Sequence, residues 1–88
     1  MKGAKAVSHD NWVKLAEIIA ILLEIDSADV SQETSPENVA QWDSLNHLNI
    51  CTAVSQEFSI TIETEEMTSI RNVGDFVKLL TSKGIPIK

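Results

Sequence analysis

Four side chains with chemistry of their own crowd one stretch of the 88-residue chain: Asp43, Ser44, His47 and Cys51. Ser44 has three readings. As a plain helix N-cap its oxygen would accept a free backbone N–H and nothing more. As a hydrolytic nucleophile it would need a base, an acid to orient that base, and an oxyanion hole. His47 is the nearest candidate base, but it falls on an inward helical stripe, and no Gly-x-Ser-x-Gly elbow surrounds the serine. The third reading is a serine that is modified rather than reactive, held at an exposed helix start beside Asp43. A phosphodiester there would lie near the positive end of the helix dipole. His47 and Cys51, four apart, could face one metal ion. Two ligands make no structural zinc site, however, and the chain has no second cysteine. A buried thiol beside a core histidine is the expectation, with no catalysis by the protein itself.

Stepping outward from Ser44, the pattern predicts a single all-α domain over residues 1–88, a four-helix bundle spanning about 9–83 with a long first loop and a short third helix. Trp12, Leu15, Ala16, Ile19, Leu22 and Leu23 recur at helical spacing, so a first helix is expected over about 9–25, capped by Ser8 or Asp10 behind a frayed arm. From Asp26 to Trp42 the periodicity gives way to a long polar loop. Ser35-Pro36-Glu37 offers a brief helical turn there, and Val30, Val39 and Trp42 offer the pins that hold it. Asp43 and Ser44 are both good caps for a second helix. At about 100° per residue, His47, Ile50, Cys51, Val54 and Phe58 share the inward face of that helix, while Leu45 and Leu48 point out with Asn49, Thr52 and Gln56. An exposed leucine pair marks a contact surface.

Phe58-Ser59-Ile60-Thr61-Ile62 alternates like a strand but has no partner strand, so an extended link is expected. Thr64 should cap a short helix over Glu65 to about Ser69. Asn72 and Asp75 should cap the last, whose stripe is Val73, Phe76, Val77 and Leu80 and which Gly84 ends. Ile85 to Lys88 reads as a tail.

Charge and composition narrow the function classes. The net charge is -6, and no Lys or Arg occurs between Leu15 and Ile70, a span that holds Glu17, Glu24, Asp26, Asp29, Glu33, Glu37, Asp43, Glu57, Glu63, Glu65 and Glu66. Phosphate backbones need clustered cations, which excludes nucleic acid as a natural partner. A basic protein surface suits the chain better. One cysteine fits a reducing compartment. The apolar run Ile18–Leu23 is too short for a membrane span and no secretory signal is visible, so a cytoplasmic monomer is expected.

Asp43-Ser44-Leu45, followed by Leu48, Phe58, Ile60, Ile62, Ile70, Val73 and Leu80, resembles an acyl carrier protein over roughly residues 9 to 83. The resemblance implies a 4'-phosphopantetheine arm on Ser44, installed from coenzyme A by a phosphopantetheinyl transferase. That arm would carry acyl groups as thioesters between acyl-loading and acyl-transfer enzymes of fatty-acid or polyketide type. It implies partner contacts at Asp43, Leu45, Leu48, Asn49 and Thr52 and, for a fatty cargo, an acyl path between the second and third helices lined by Val54, Ile62, Met67, Ile70 and Phe76. Phe76 is bulky there and would limit chain length. The chain departs from the family in one respect: Asn46, Asn49, Ser55 and Gln56 stand where acids are usual, which points to a specialised carrier with a dedicated partner. Trp42 before Asp-Ser-Leu resembles stand-alone carriers. The Gly-Gly usual before the serine of peptidyl carriers is absent, yet an aminoacyl or peptidyl carrier stays open. So does a small helical interaction module that binds through its leucine face.

Overall fold

Three apolar helical stripes fold on one another in the computed structural model, which describes residues 9–87. The expected arm, Ser8 as a cap, and Lys88 lie outside those residues. The helices are α1 (His9–Leu23), α2 (Ser44–Phe58), the short α3 (Thr64–Ser69) and α4 (Val73–Ser82), with a 3-10 turn at Ser27–Asp29 and no strand among the described residues. Leu15, Ile19 and Leu23 of α1 meet Ile50, Cys51, Val54 and Phe58 of α2 and Val73, Phe76 and Leu80 of α4 in one core. Burial of each large apolar side chain contributes about 1.5–3 kcal/mol, which is the main force holding so small a domain. Trp12 and Leu22 sit at the edge of this core, half-buried, and Ala20 takes a buried place instead. No helix among the described residues is long and apolar enough to cross a membrane.

Three helices end in the same way. Glu24 (φ 61°), Ser59 (φ 56°) and Gly84 (φ 91°) adopt the left-handed conformation. The next residue turns its N–H back five positions: Ile25 to Ala20, Ile60 to Ser55, Ile85 to Leu80. These are Schellman closures, in which an apolar residue after the turn packs on the core. Ile25, Ile60 and Ile85 do so here. Two expectations are corrected as a result. α1 stops at Leu23 rather than near residue 25, and Ile85 to Ile87 is no loose tail. Ile85 and Ile87 pack against the core, and the Asn11 side-chain amide donates to the Pro86 carbonyl at 2.8 Å.

The long loop is built from side chains that imitate backbone turns. Thr34 Oγ1 accepts from the Ser31 N–H, Asn38 Oδ1 from the Ser35 N–H, and Asp26 Oδ1 from the Ala28 N–H. Ser35 to Asn38 closes as a single hydrogen-bonded turn, as its sequence suggested. The loop then docks on the first turn of α4, where the Val73 and Gly74 N–H groups donate to the carbonyls of Thr34 and Gln32. These are N–H groups with no partner inside their own helix. A Cβ on Gly74 would lie 3.2 Å from the Gln32 oxygen, a tight contact that a larger residue could make only if the loop gave by a few tenths of an ångström. Val30 and Trp42 are buried and Val39 packs beside them, so the three expected pins do hold the loop.

At α3 the cap is Glu63, not Thr64, which is the first helical residue. The Glu66 carboxylate reaches back to accept the Glu63 N–H at 2.8 Å. That hydrogen bond, then the Lys83 ammonium 3.2 Å away, hold its carboxyl below the usual carboxylate range. At α4, Asn72 Oδ1 accepts the Asp75 N–H as expected, while the Asp75 carboxylate takes the N–H of Arg71.

A left-handed glutamate costs about 1–2 kcal/mol, which glycine avoids at some expense in chain entropy. Glu24→Gly is therefore expected to stabilise the fold by about 0.5–1 kcal/mol, seen as a rise of a few degrees in thermal unfolding followed by circular dichroism. A fall in the midpoint would mean that the Glu24 side chain supports the α1 end in some other way.

Candidate functional site

α2 begins at Ser44 because Asp43 supplies its cap. Asp43 Oδ1 accepts the Asn46 N–H at 2.9 Å, and the Asp43 carbonyl accepts the first helical bond, from the His47 N–H at 2.8 Å. Ser44 is thus the first helical residue and not the cap. Its side chain is exposed, and among the described residues its hydroxyl meets no hydrogen-bond partner. The Ser44 and Leu45 N–H groups likewise find no acceptor among those residues and lie at the positive end of a 15-residue helix.

The five residues expected to meet partners are all exposed. Asp43 flanks the serine, Leu45 and Leu48 are 68% and 52% accessible, and Asn49 and Thr52 follow on the outward side. Part of the amide surface is engaged within the protein itself. The Asn46 amide donates to the Gln41 carbonyl at 2.8 Å, and the Asn49 amide donates to Asn46 Oδ1 at 3.3 Å.

Beside Ser44 opens a groove of about 560 Å³. It is lined by Trp42, His47, Leu48, Met67 and Ile70, with Pro36 and the threonines Thr64 and Thr68 at its rim. Met67 and Ile70 line it as expected. Val54, Ile62 and Phe76 do not: Val54 and Phe76 are fully buried in the core, and Ile62 packs on the core elsewhere. The apolar surface of Val54 and Phe76 is taken up by packing here, while Ile62 stays half-buried.

His47 is held from both sides. The buried Trp42 indole donates from Nε1 to His47 Nδ1 at 3.0 Å, so the ring proton sits on Nε2 and donates to the Met67 carbonyl at 2.8 Å. The Trp42 and His47 rings lie 23° from parallel with centroids 6.1 Å apart, the geometry of a bond in the ring plane rather than of face stacking. Both imidazole nitrogens are therefore occupied, and neither is offered to Ser44 as a base. The Met67 carbonyl, near the C-terminal end of α3, also accepts the Ile70 N–H at 3.3 Å, and it is the partner that no sequence pattern could announce. The Trp–His spacing of five across the cap was the only available sign.

Cys51 is buried beside this cluster, and burial pushes its thiol up to about 11. It is protonated at neutral pH and a poor nucleophile. No group of three or more potential ligands among the described residues is placed to hold a metal ion.

No protein-family model matches the chain. An acyl carrier protein of Petrotoga mobilis (strain DSM 10674 / SJ95), however, is 36% identical over 70 residues, covering 80% of this chain and 82% of that protein. The chain belongs to the acyl carrier protein family. Its all-helical fold with a short third helix agrees with that membership, and its role is that of a carrier.

The Cys51 thiol gives a test of core closure. The unfolded chain ionises near the ordinary thiol value of 9.0 and the folded chain only near 11. The thiol's contribution to stability is therefore whole below about pH 9 and is lost as pH rises toward about 11. Urea midpoints near pH 8 and near pH 10 should fall further for the wild type than for Cys51→Ala. Equal falls would show that water reaches the thiol in the folded state.

Proposed function

We propose that Ser44 carries a 4'-phosphopantetheine arm and that the protein hands acyl groups between enzymes without catalysing a reaction itself. The observation that supports this most is the state of Ser44: exposed, spare of any structural hydrogen bond, at a helix start, beside a groove. Attachment joins the Ser44 oxygen to the phosphorus next to the pantetheine of coenzyme A and expels adenosine 3',5'-bisphosphate. The hydroxyl proton leaves to a base on the transferase. The site fits the group on two counts. The open Ser44 and Leu45 N–H groups lie at the positive end of α2, where an anion is favoured, and the groove offers Leu48, Met67 and Ile70 to an extended arm. When bound, the arm supplies a thiol on which acyl groups ride as thioesters.

Leu45 and Leu48 form the contact surface for partners in this reading, with Asp43, Asn49 and Thr52 around them. The acids usual on this face are replaced by three amides and the Ser55 hydroxyl, which keep hydrogen bonds and lose long-range attraction. Encounter with partners is then slower and less salt-dependent than for an acidic carrier, as suits one dedicated partner. A phosphopantetheinyl transferase and the enzymes that load and unload the arm are the partners of this reading, and the cytoplasm is its compartment.

Incubation with coenzyme A and a promiscuous phosphopantetheinyl transferase should raise the intact mass by one phosphopantetheine. Ser44→Ala should show no gain while keeping its stability to within about 0.5 kcal/mol, because Asp43 and not Ser44 is the cap. No gain by the folded wild type would leave an interaction module, acting through Leu45 and Leu48, as the function.

A further inference from the structure

The groove beside Ser44 stops at a wall of three rings. Trp42 is buried, with its ring centroid 6.1 Å from that of His47 and 6.4 Å from that of Phe76, while the His47 and Phe76 centroids lie 6.4 Å apart. Trp42 and His47 line the groove. Phe76 stands behind them with no accessible surface, and Val54 and Ile50 beyond are equally closed. The rings do not merely fill space. The hydrogen-bond chain from Trp42 Nε1 through His47 to the Met67 carbonyl ties the loop, α2 and α3 together across the line a chain would follow into the core.

We propose that Trp42, His47 and Phe76 form a latched gate that closes the interior to cargo, with His47 as the specificity-determining residue. An alkyl chain entering between α2 and α3 would have to part His47 from Met67, which breaks the imidazole hydrogen bond and leaves the Met67 carbonyl only its 3.3 Å bond from the Ile70 N–H. It would also have to displace Phe76 from a close-packed site, where added volume is poorly tolerated. The cargo class that follows is short or polar acyl groups, which stay in the surface groove and gain little from an apolar interior. Long alkyl chains are the class excluded. The inference rests on Ser44 bearing the arm.

Acetyl- and octanoyl-coenzyme A, used with a promiscuous transferase, would load the two cargoes directly, with intact mass reporting the loading. In the wild type the NMR signals of the Val54 methyls, the Phe76 ring and the Trp42 indole N–H should match between the two loaded forms. Thioester cleavage by hydroxylamine should differ by less than about twofold. In His47→Leu, which keeps bulk but breaks both hydrogen bonds, octanoyl loading should shift the Val54 and Phe76 signals and slow cleavage several-fold. His47→Gln, whose amide can accept from Trp42 and donate to Met67, should restore wild-type behaviour. Phe76→Leu makes the same comparison by removing bulk, should His47→Leu fail to fold. Core shifts in octanoyl-loaded wild type would overturn the gate. So would an unshifted core in both folded variants. Failure to take up phosphopantetheine at all would instead remove the carrier reading, and the gate would fall with it.

Discussion

The bond from His47 Nε2 to the Met67 carbonyl is the constraint on which the site's geometry depends. α3 has six residues, well below the length at which a helix is stable in water. It exists because its ends are held by its own capping box and by neighbouring elements. Glu66 takes the Glu63 N–H at one end, His47 donates to the Met67 carbonyl at the other, and Lys83 from the end of α4 pairs with Glu66. The last of these is partly exposed and contributes little in water. The imidazole bond is partly buried and is the stronger tie. If it is removed, the Met67 and Ile70 wall of the groove loses its fixed distance from Ser44.

His47 can serve this way only because its other nitrogen is already fixed. An imidazole with a free Nδ1 can place its proton on either nitrogen, and one of those tautomers would set a lone pair against the Met67 oxygen. The Trp42 indole, a donor and never an acceptor, forces the proton onto Nε2. Trp42 is in turn placed by the loop before it. The turns at Ser31 to Thr34 and Ser35 to Asn38, and the docking of Gln32 and Thr34 on α4, bring the chain to Trp42 in one register. A loop of 17 or so polar residues would ordinarily be mobile. Its own hydrogen bonds make this one part of the scaffold.

That dependence explains what could be read from the sequence and what could not. The helices were legible because α1, α2 and α4 each carry an apolar stripe at helical spacing. The outward leucines followed from the same wheel, since Leu45 lies half a turn from Val54. The end of α1 was not legible: Glu24 occupies a conformation that local preference assigns to glycine, and tertiary packing of Ile25 overrules that preference. The order within the loop was also hidden, because Ser, Thr and Asn accept backbone N–H groups almost interchangeably. Val54 and Phe76 were assigned to an acyl path through the family resemblance, as inward positions facing it. A wheel tells inward from outward but cannot tell a packed interior from a hollow one. The Met67 carbonyl belongs to the backbone, which carries no residue-specific sign.

Ser44 stands apart from this network, and that separation has a physical logic. A serine acting as the cap of α2 would spend its oxygen on a backbone N–H, and any group attached to that oxygen would compete with the helix for it. Here Asp43 does the capping, and the cap bond to Asn46 is made by a carboxylate that modification of Ser44 leaves untouched. The helix start therefore keeps its stability whether or not the neighbouring hydroxyl is substituted. The same carboxylate brings negative charge next to the serine, which a phosphodiester would feel as repulsion. The helix dipole and the open Ser44 and Leu45 N–H groups act in the opposite sense and at shorter range. With the acids of the outward face replaced by amides, Asp43 is the one carboxylate beside that phosphodiester, so the balance at Ser44 tilts toward accepting an anion.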